Sequence, residues 1–156
     1  MKKTITILFL AASVVAYAEK KPLDHSVYDK WENTSSVKLS DDGKILSYEV
    51  KPQAGDGRLV FNDLGRNSEF VVSRGESAVF SNDGRWAIFR IKAPFDKTRD
   101  AKIKKKKAED MPKDSLGYID LKTFSLRNLG PVNKFITSTE KNAVIVYETG
   151  EKDSKV

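Results

Sequence analysis

Three places in this 156-residue chain hold residue types that could do chemistry. The first is Ser77, in "GESAV" at 75–79. It comes one residue short of the G-x-S-x-G elbow, in which a serine hydroxyl activated by histidine attacks an acyl carbon. Val79 stands in place of the last glycine, and Ser77 precedes an expected strand rather than a strand-to-helix turn. The sole histidine, His25, comes before every candidate serine and falls in an expected helix, so no catalytic residue is assigned. The second place is a pair of carboxylate motifs: Ser40, Asp42 and Gly43 in "SDDG", and Ser81, Asp83 and Gly84 in "SNDG". A sialidase-type Asp box sets its glycine one residue further on, and no glutamate closes an EF-hand loop. There is no histidine or cysteine cluster for zinc and no glycine-rich phosphate loop, so neither metal nor cofactor is expected. What remains for these acids is turn formation, since glycine accepts positive φ and Asp or Asn accepts the local hydrogen bonds of a turn.

The third place is "KIKKKK", 102–107. The formal charge of the chain is +6. Beyond residue 18 it holds 26 basic and 22 acidic residues, and residues 97–107 alone supply seven of the bases and one acid. Without that segment, 19 bases face 21 acids, so the protein is near-neutral with one basic segment. No aromatic platform is interleaved with the lysines, and no nucleic-acid partner is expected. The segment 96–113 reads as a solvated loop or short helical excursion.

The elements that must position these residues repeat. "VKLSDDGKILSYEV" (37–50) and "AVFSNDGRWAIFRI" (78–91) match over serine, Asp-Gly, a base and an aromatic, 41 residues apart. A degraded third copy is "FITSTEKNAVIVYE" at 135–148, with Thr139, Asn142 and Tyr147 at the serine, glycine and aromatic positions, each 58 residues after its counterpart in the second. In each unit a short apolar strand runs into the turn and a strand rich in β-branched and aromatic residues returns. Two more alternating strands follow. The expected strands are 37–39, 45–51, 58–63 and 69–73, then 78–80, 86–92, 116–120 and 124–129. Four-stranded units at such a period indicate a β-propeller. The expected fold is therefore all-β: an unclosed partial propeller of about two and a half blades, namely blade 1 (37–74), blade 2 (75–130, with the insertion at 96–113) and an incomplete blade 3 (131–156). Such a ring typically has about four to eight blades, so the chain reads as the N-terminal part of a longer protein.

Ahead of the blades, residues 1–18 show a basic start, a short apolar core and "AYA" as a small-x-small exit, the pattern of a secretory signal peptide. The apolar run is shorter than the roughly 20 residues of a membrane span. Export to the periplasm or exterior is expected, and no cysteine is present for disulfides or lipid attachment. In segment 19–36, Leu23, Val27 and Trp31 share one helical face, and Asp24 stands at its start, which predicts a short helix packing Trp31 on a blade edge.

"KPLDHSVYDKW" (21–31), "VKLSDDGKILSYEV", "KPQAGDGRLVF" (51–61) and "KKKKAEDMPKDSLGYIDL" (104–121) resemble the start of secreted peptidases of the prolyl oligopeptidase family of Bacteroidetes type. The Ser-x-Asp-Gly turns are similar to propeller repeats of that family and of TolB-type periplasmic proteins, with Asp41 and Asn82 where proline is usual. The resemblance implies a propeller that gates or positions a peptide substrate for a C-terminal α/β-hydrolase domain carrying Ser, Asp and His. That domain is absent from this chain, so the chain alone is expected to be non-catalytic. The alternative is a non-enzymatic TolB-like binding or scaffold module.

Overall fold

The computed structural model describes residues 25–137 and 145–149. Strands β1 (Glu32–Leu39), β2 (Ile45–Pro52), β3 (Arg58–Asp63) and β4 (Ser68–Ser73) form an antiparallel sheet in sequence order. Strands β5 (Gly75–Phe80), β6 (Trp86–Ile91), β7 (Ser115–Asp120), β8 (Ser125–Thr137) and β9 (Ile145–Thr149) form a second. The 13-residue β8 serves twice. Ser125 to Pro131 pairs with β7, and Val132 to Thr137 pairs with β9. The protein is thus all-β, with two four-stranded blades and the first hairpin of a third, and the sheets do not close into a ring. Helix α1 (Phe95–Ile103) and a 3₁₀ turn (Ala108–Asp110) occupy the connection between β6 and β7.

The repeat is a register identity. Leu39 faces Leu46 as Phe80 faces Ala87, 41 residues on in both strands. The third hairpin pairs Ile136 with Val146 where the second pairs Val79 with Ile88, so the offsets are 57 and 58 and its loop is one residue longer. Thr139 and Asn142 of that loop, Leu23, Asp24 and segment 1–18 lie outside the described residues. Both inner strands carry a bulge at an equivalent serine in left-handed conformation: Ser36 (φ 53°) in β1 and Ser77 (φ 57°) in β5.

The blades pack face to face. Ile45, Leu59, Phe61 and Val72 of blade 1 meet Ala87, Phe89, Ile91 and Ile119 of blade 2. Phe61 lies 5.6 Å from Phe89 and 6.1 Å from Phe80, centroid to centroid. Phe70 stacks on Phe124 across the seam at 5.7 Å. On the far side of blade 2, Ile88, Leu116 and Val132 form a second cluster with Trp86 and Phe135.

The segment before blade 1 differs from expectation. Among the described residues of this segment, His25–Lys30 is helical, as a 3₁₀ helix, and residues 32–36 belong to β1. Trp31 is 57% exposed and leans on Tyr28 (4.8 Å) instead of packing on a blade edge. The cause is backbone pairing: Gln53 N–H donates to Trp31 O and Ala54 N–H to Asp29 O, which draws the chain into the sheet before a regular helix can continue.

Candidate functional site

Each Ser-x-Asp-Gly turn is a closed hydrogen-bond knot. Ser40 Oγ donates to Asp42 Oδ1 (2.7 Å) and accepts Ile45 N–H (3.0 Å), while Gly43 N–H donates to Ser40 O (2.8 Å). Asp42 also accepts Lys44 N–H (3.1 Å) and Lys44 Nζ (3.0 Å). The Ser40 hydroxyl first, then Lys44, hold its carboxyl down at about 2. In the second turn Ser81 Oγ donates to Asp83 and accepts Trp86 N–H (3.1 Å), and Arg85 N–H donates to Asp83 (3.0 Å). The Ser81 hydroxyl and the Arg85 amide lower the Asp83 carboxyl likewise. Gly43 (φ 71°) and Gly84 (φ 65°) take the left-handed step that β-carbons disfavour. The acids spend their oxygens inside their own turns. Among the described residues, no group of three or more His, Cys, Asp and Glu is placed to hold a metal ion.

Ser77 and His25 have separate surroundings. His25 packs edge-on against Tyr28 at 5.0 Å, whereas Ser77 sits in the β5 bulge with its N–H donated to Glu49 Oε1 at 2.7 Å. This bond opens onto a row of ion pairs that spans both blades. Glu49 on β2 is 2% exposed, and Lys51 Nζ lies 2.7 Å from its other oxygen. Lys51 also approaches Glu76 (3.5 Å), and Lys92 lies between Glu76 (3.8 Å) and Asp114 (2.9 Å). Arg90 completes the row at 3.5 Å from Asp114. Glu49, Lys51, Glu76, Lys92, Asp114 and Arg90 thus alternate in sign across the seam. Lys51 and Lys92 are equivalent repeat positions, 41 residues apart.

Burial alone pushes the Glu49 carboxyl up, but the Lys51 ammonium, the Ser77 amide and Ser36 together outweigh it, and the group stays ionised with a lowered pKa. Glu49 in turn raises the Lys51 ammonium. Asp114 behaves as Glu49 does: burial opposes its charge, and Lys92, the Ala93 amide and Arg90 restore it. Beside this row lies a cleft of about 280 Å3 lined by Lys51, Asp56, Arg74, Glu76, Lys92 and Phe95. The arrangement presents both charge signs.

Sequence reasoning missed this row. The available signal was a charged residue, Glu49, in a strand position opposite Leu59, followed by a lysine two residues on.

No family model matches the chain, and no curated protein matches it in sequence. Solved structures do. An acylaminoacyl peptidase in complex with Z-Gly-Gly-Phe-chloromethyl ketone aligns over 72% of this chain with a TM-score of 0.51 and 16% identity. The acylaminoacyl peptidase of Pyrococcus horikoshii aligns over 73% (TM-score 0.49, 15% identity). The β-propeller domain of the Trilobed protease from Pyrococcus furiosus, described as having an open velcro topology, aligns over 70% (TM-score 0.48, 16% identity). The chain spans 16% of the length of each acylaminoacyl peptidase and 31% of the Trilobed protease domain. At these identities the likeness is one of fold.

Proposed function

We propose that this chain is the non-catalytic N-terminal propeller piece of a secreted serine peptidase of the prolyl oligopeptidase family, and that it gates or positions peptide for an α/β-hydrolase domain elsewhere in the full-length protein. The observation that carries the reading is the fold match to an acylaminoacyl peptidase over 72% of the chain but only 16% of that enzyme. The motif resemblance at 21–31 and 104–121 supports the same family from the sequence side. The role in positioning rests on the cleft beside that row, whose Lys51, Asp56, Arg74, Glu76 and Lys92 offer both charge signs to a peptide.

The coding DNA beyond the Val156 codon tests the parentage. The expected result is further propeller repeats followed by a G-x-S-x-G elbow, then Asp and His. Repeats with no such elbow in any frame would favour the TolB-like module instead. Export is tested by N-terminal sequencing of protein recovered from the periplasm or medium, with Glu19 expected as the first residue.

A further inference from the structure

The lysine-rich insertion is held against the body and turned outward. Phe95 N–H, at the start of α1, donates to Asp56 Oδ1 (2.8 Å) on the β2–β3 loop, supplying the cap that Pro94 cannot. Ala101 is the helix's buried residue, at 3% exposure. At the other end Lys106 N–H donates to Ala101 O and Lys105 N–H to Lys102 O, both at 3.0 Å. These two bonds make a Schellman motif, whose left-handed position is usually glycine. Here it is Lys105, at φ 49°. The helix end thus accepts backbone strain that glycine would relieve, and keeps a positive charge there.

Lys102 and Lys104 to Lys107 are all exposed and make no ion pair among the described residues, while Asp96 and Asp100 face Arg99. In the middle of these five lysines sits Ile103, 70% exposed, the most exposed large apolar side chain among the described residues. Ile103 is the one apolar side chain within residues 102–107. A cluster of lysines around one apolar anchor is what an anionic lipid surface recognises: the lysines meet the headgroups and the side chain enters the acyl boundary. We propose that residues 102–107 form a peripheral docking site for an anionic lipid surface. The absence of an aromatic within the cluster sets it apart from a nucleic-acid platform.

The test is co-sedimentation of the full chain with phosphatidylcholine vesicles made with and without phosphatidylglycerol. Binding is expected only when phosphatidylglycerol is present, and is lost in about 1 M salt, where the screening length falls to about 3 Å. Each lysine removed is expected to weaken binding roughly fivefold, so changing Lys104, Lys105, Lys106 and Lys107 together to glutamine costs about six-hundredfold where the four act independently. Lys105→Gly should melt no lower than the parent, because it relaxes the helix end, yet bind about fivefold weaker. Ile103→Ser should weaken binding severalfold without changing its salt dependence. Equal binding to uncharged vesicles, or binding unaffected by the lysine changes, overturns the proposal and assigns any association to the apolar segment 1–18. Tighter binding to a DNA oligomer that ignores Ile103→Ser also overturns it.

Discussion

The Glu49 carboxylate accepts the backbone N–H of Ser77 at 2.7 Å, and through that bond the second strand of one blade holds the inner strand of the next. The contact falls where β5 bulges, and Ser36, at the equivalent bulge of β1, contributes a hydrogen bond to the same carboxylate. One buried acid therefore ties together the two irregular positions of the repeat.

Replacing Glu49 should therefore cost more than a surface charge does. Glu49→Ala leaves the Ser77 amide without its acceptor and Lys51 with Glu76 alone, and a loss of about 2–3 kcal/mol is expected, below the range for a fully buried pair because Lys51 is half-exposed. Glu49→Gln, which can still accept from Ser77, should lose less. Urea unfolding of the three proteins measures the difference. Equal midpoints would show that the bond does not hold the seam.

The Ser-x-Asp-Gly turns should weaken in acid. Asp42 in the folded chain sits at about 2, below its ordinary value of 3.8. A carboxylate with a depressed folded pKa contributes stability that is present above about pH 4 and is lost as pH falls toward about 2. Asp83 is lowered by the same kind of contact and acts in the same direction. A carboxyl-carbon NMR titration should place the Asp42 midpoint near 2, and Asp42→Asn should flatten the acid limb of the melting curve. A midpoint at or above the ordinary value contradicts the hydrogen-bond geometry.

Gly117 should not tolerate a side chain. It pairs with Phe89 across β6 and β7, and a methyl group there would fall inside the Phe89 ring. Phe61, 5.6 Å away on blade 1, presses that ring onto the strand. In blade 1 the equivalent pair is Tyr48 and Val60, and Tyr48 turns away to donate to Glu69 at 3.2 Å, so valine fits. Gly117→Ala is expected to cost about 1–3 kcal/mol, and adding Phe89→Leu to that variant should recover part of it. Full stability of the single variant would mean the blades do not meet as described.

Ser47 marks a site where polarity is not used. Its side chain is fully buried opposite Phe61, and its Oγ has no hydrogen-bond partner. Ser47→Ala should leave the melting temperature unchanged or raise stability by up to about 1 kcal/mol. A drop of that size would reveal a partner for the hydroxyl.

The repeat, the Asp-Gly turns and the returning strands were legible because their signals are local: glycine at positive φ, a serine two residues before an aspartate, and β-branched runs. Residues 32–36 were not, because "ENTSS" has no alternation and β1 is exposed along most of its length; the strand exists by pairing with β2. The face assignment of β2 was hidden for a different reason. Alternation in "ILSYEV" puts Leu46, Tyr48 and Val50 on one side and Ser47 and Glu49 on the other, and a single sheet would bury the first set. A propeller blade is covered on both faces, so blade 2 buries Ser47 and Glu49 while Leu46 and Tyr48 remain partly open. The row from Glu49 to Arg90 depends on that packing and on residues up to 65 apart, and no local pattern carries it.

The central claim is that this propeller piece positions substrate for a nucleophile lying outside it. The most direct test is to label the full-length protein with a fluorophosphonate and map the adduct by mass spectrometry. The account predicts a single modified serine C-terminal to Val156, in a G-x-S-x-G context, and no adduct at Ser77. An adduct on Ser77 or on any other serine within residues 1–156, or a full-length protein that takes no label at all, would contradict it.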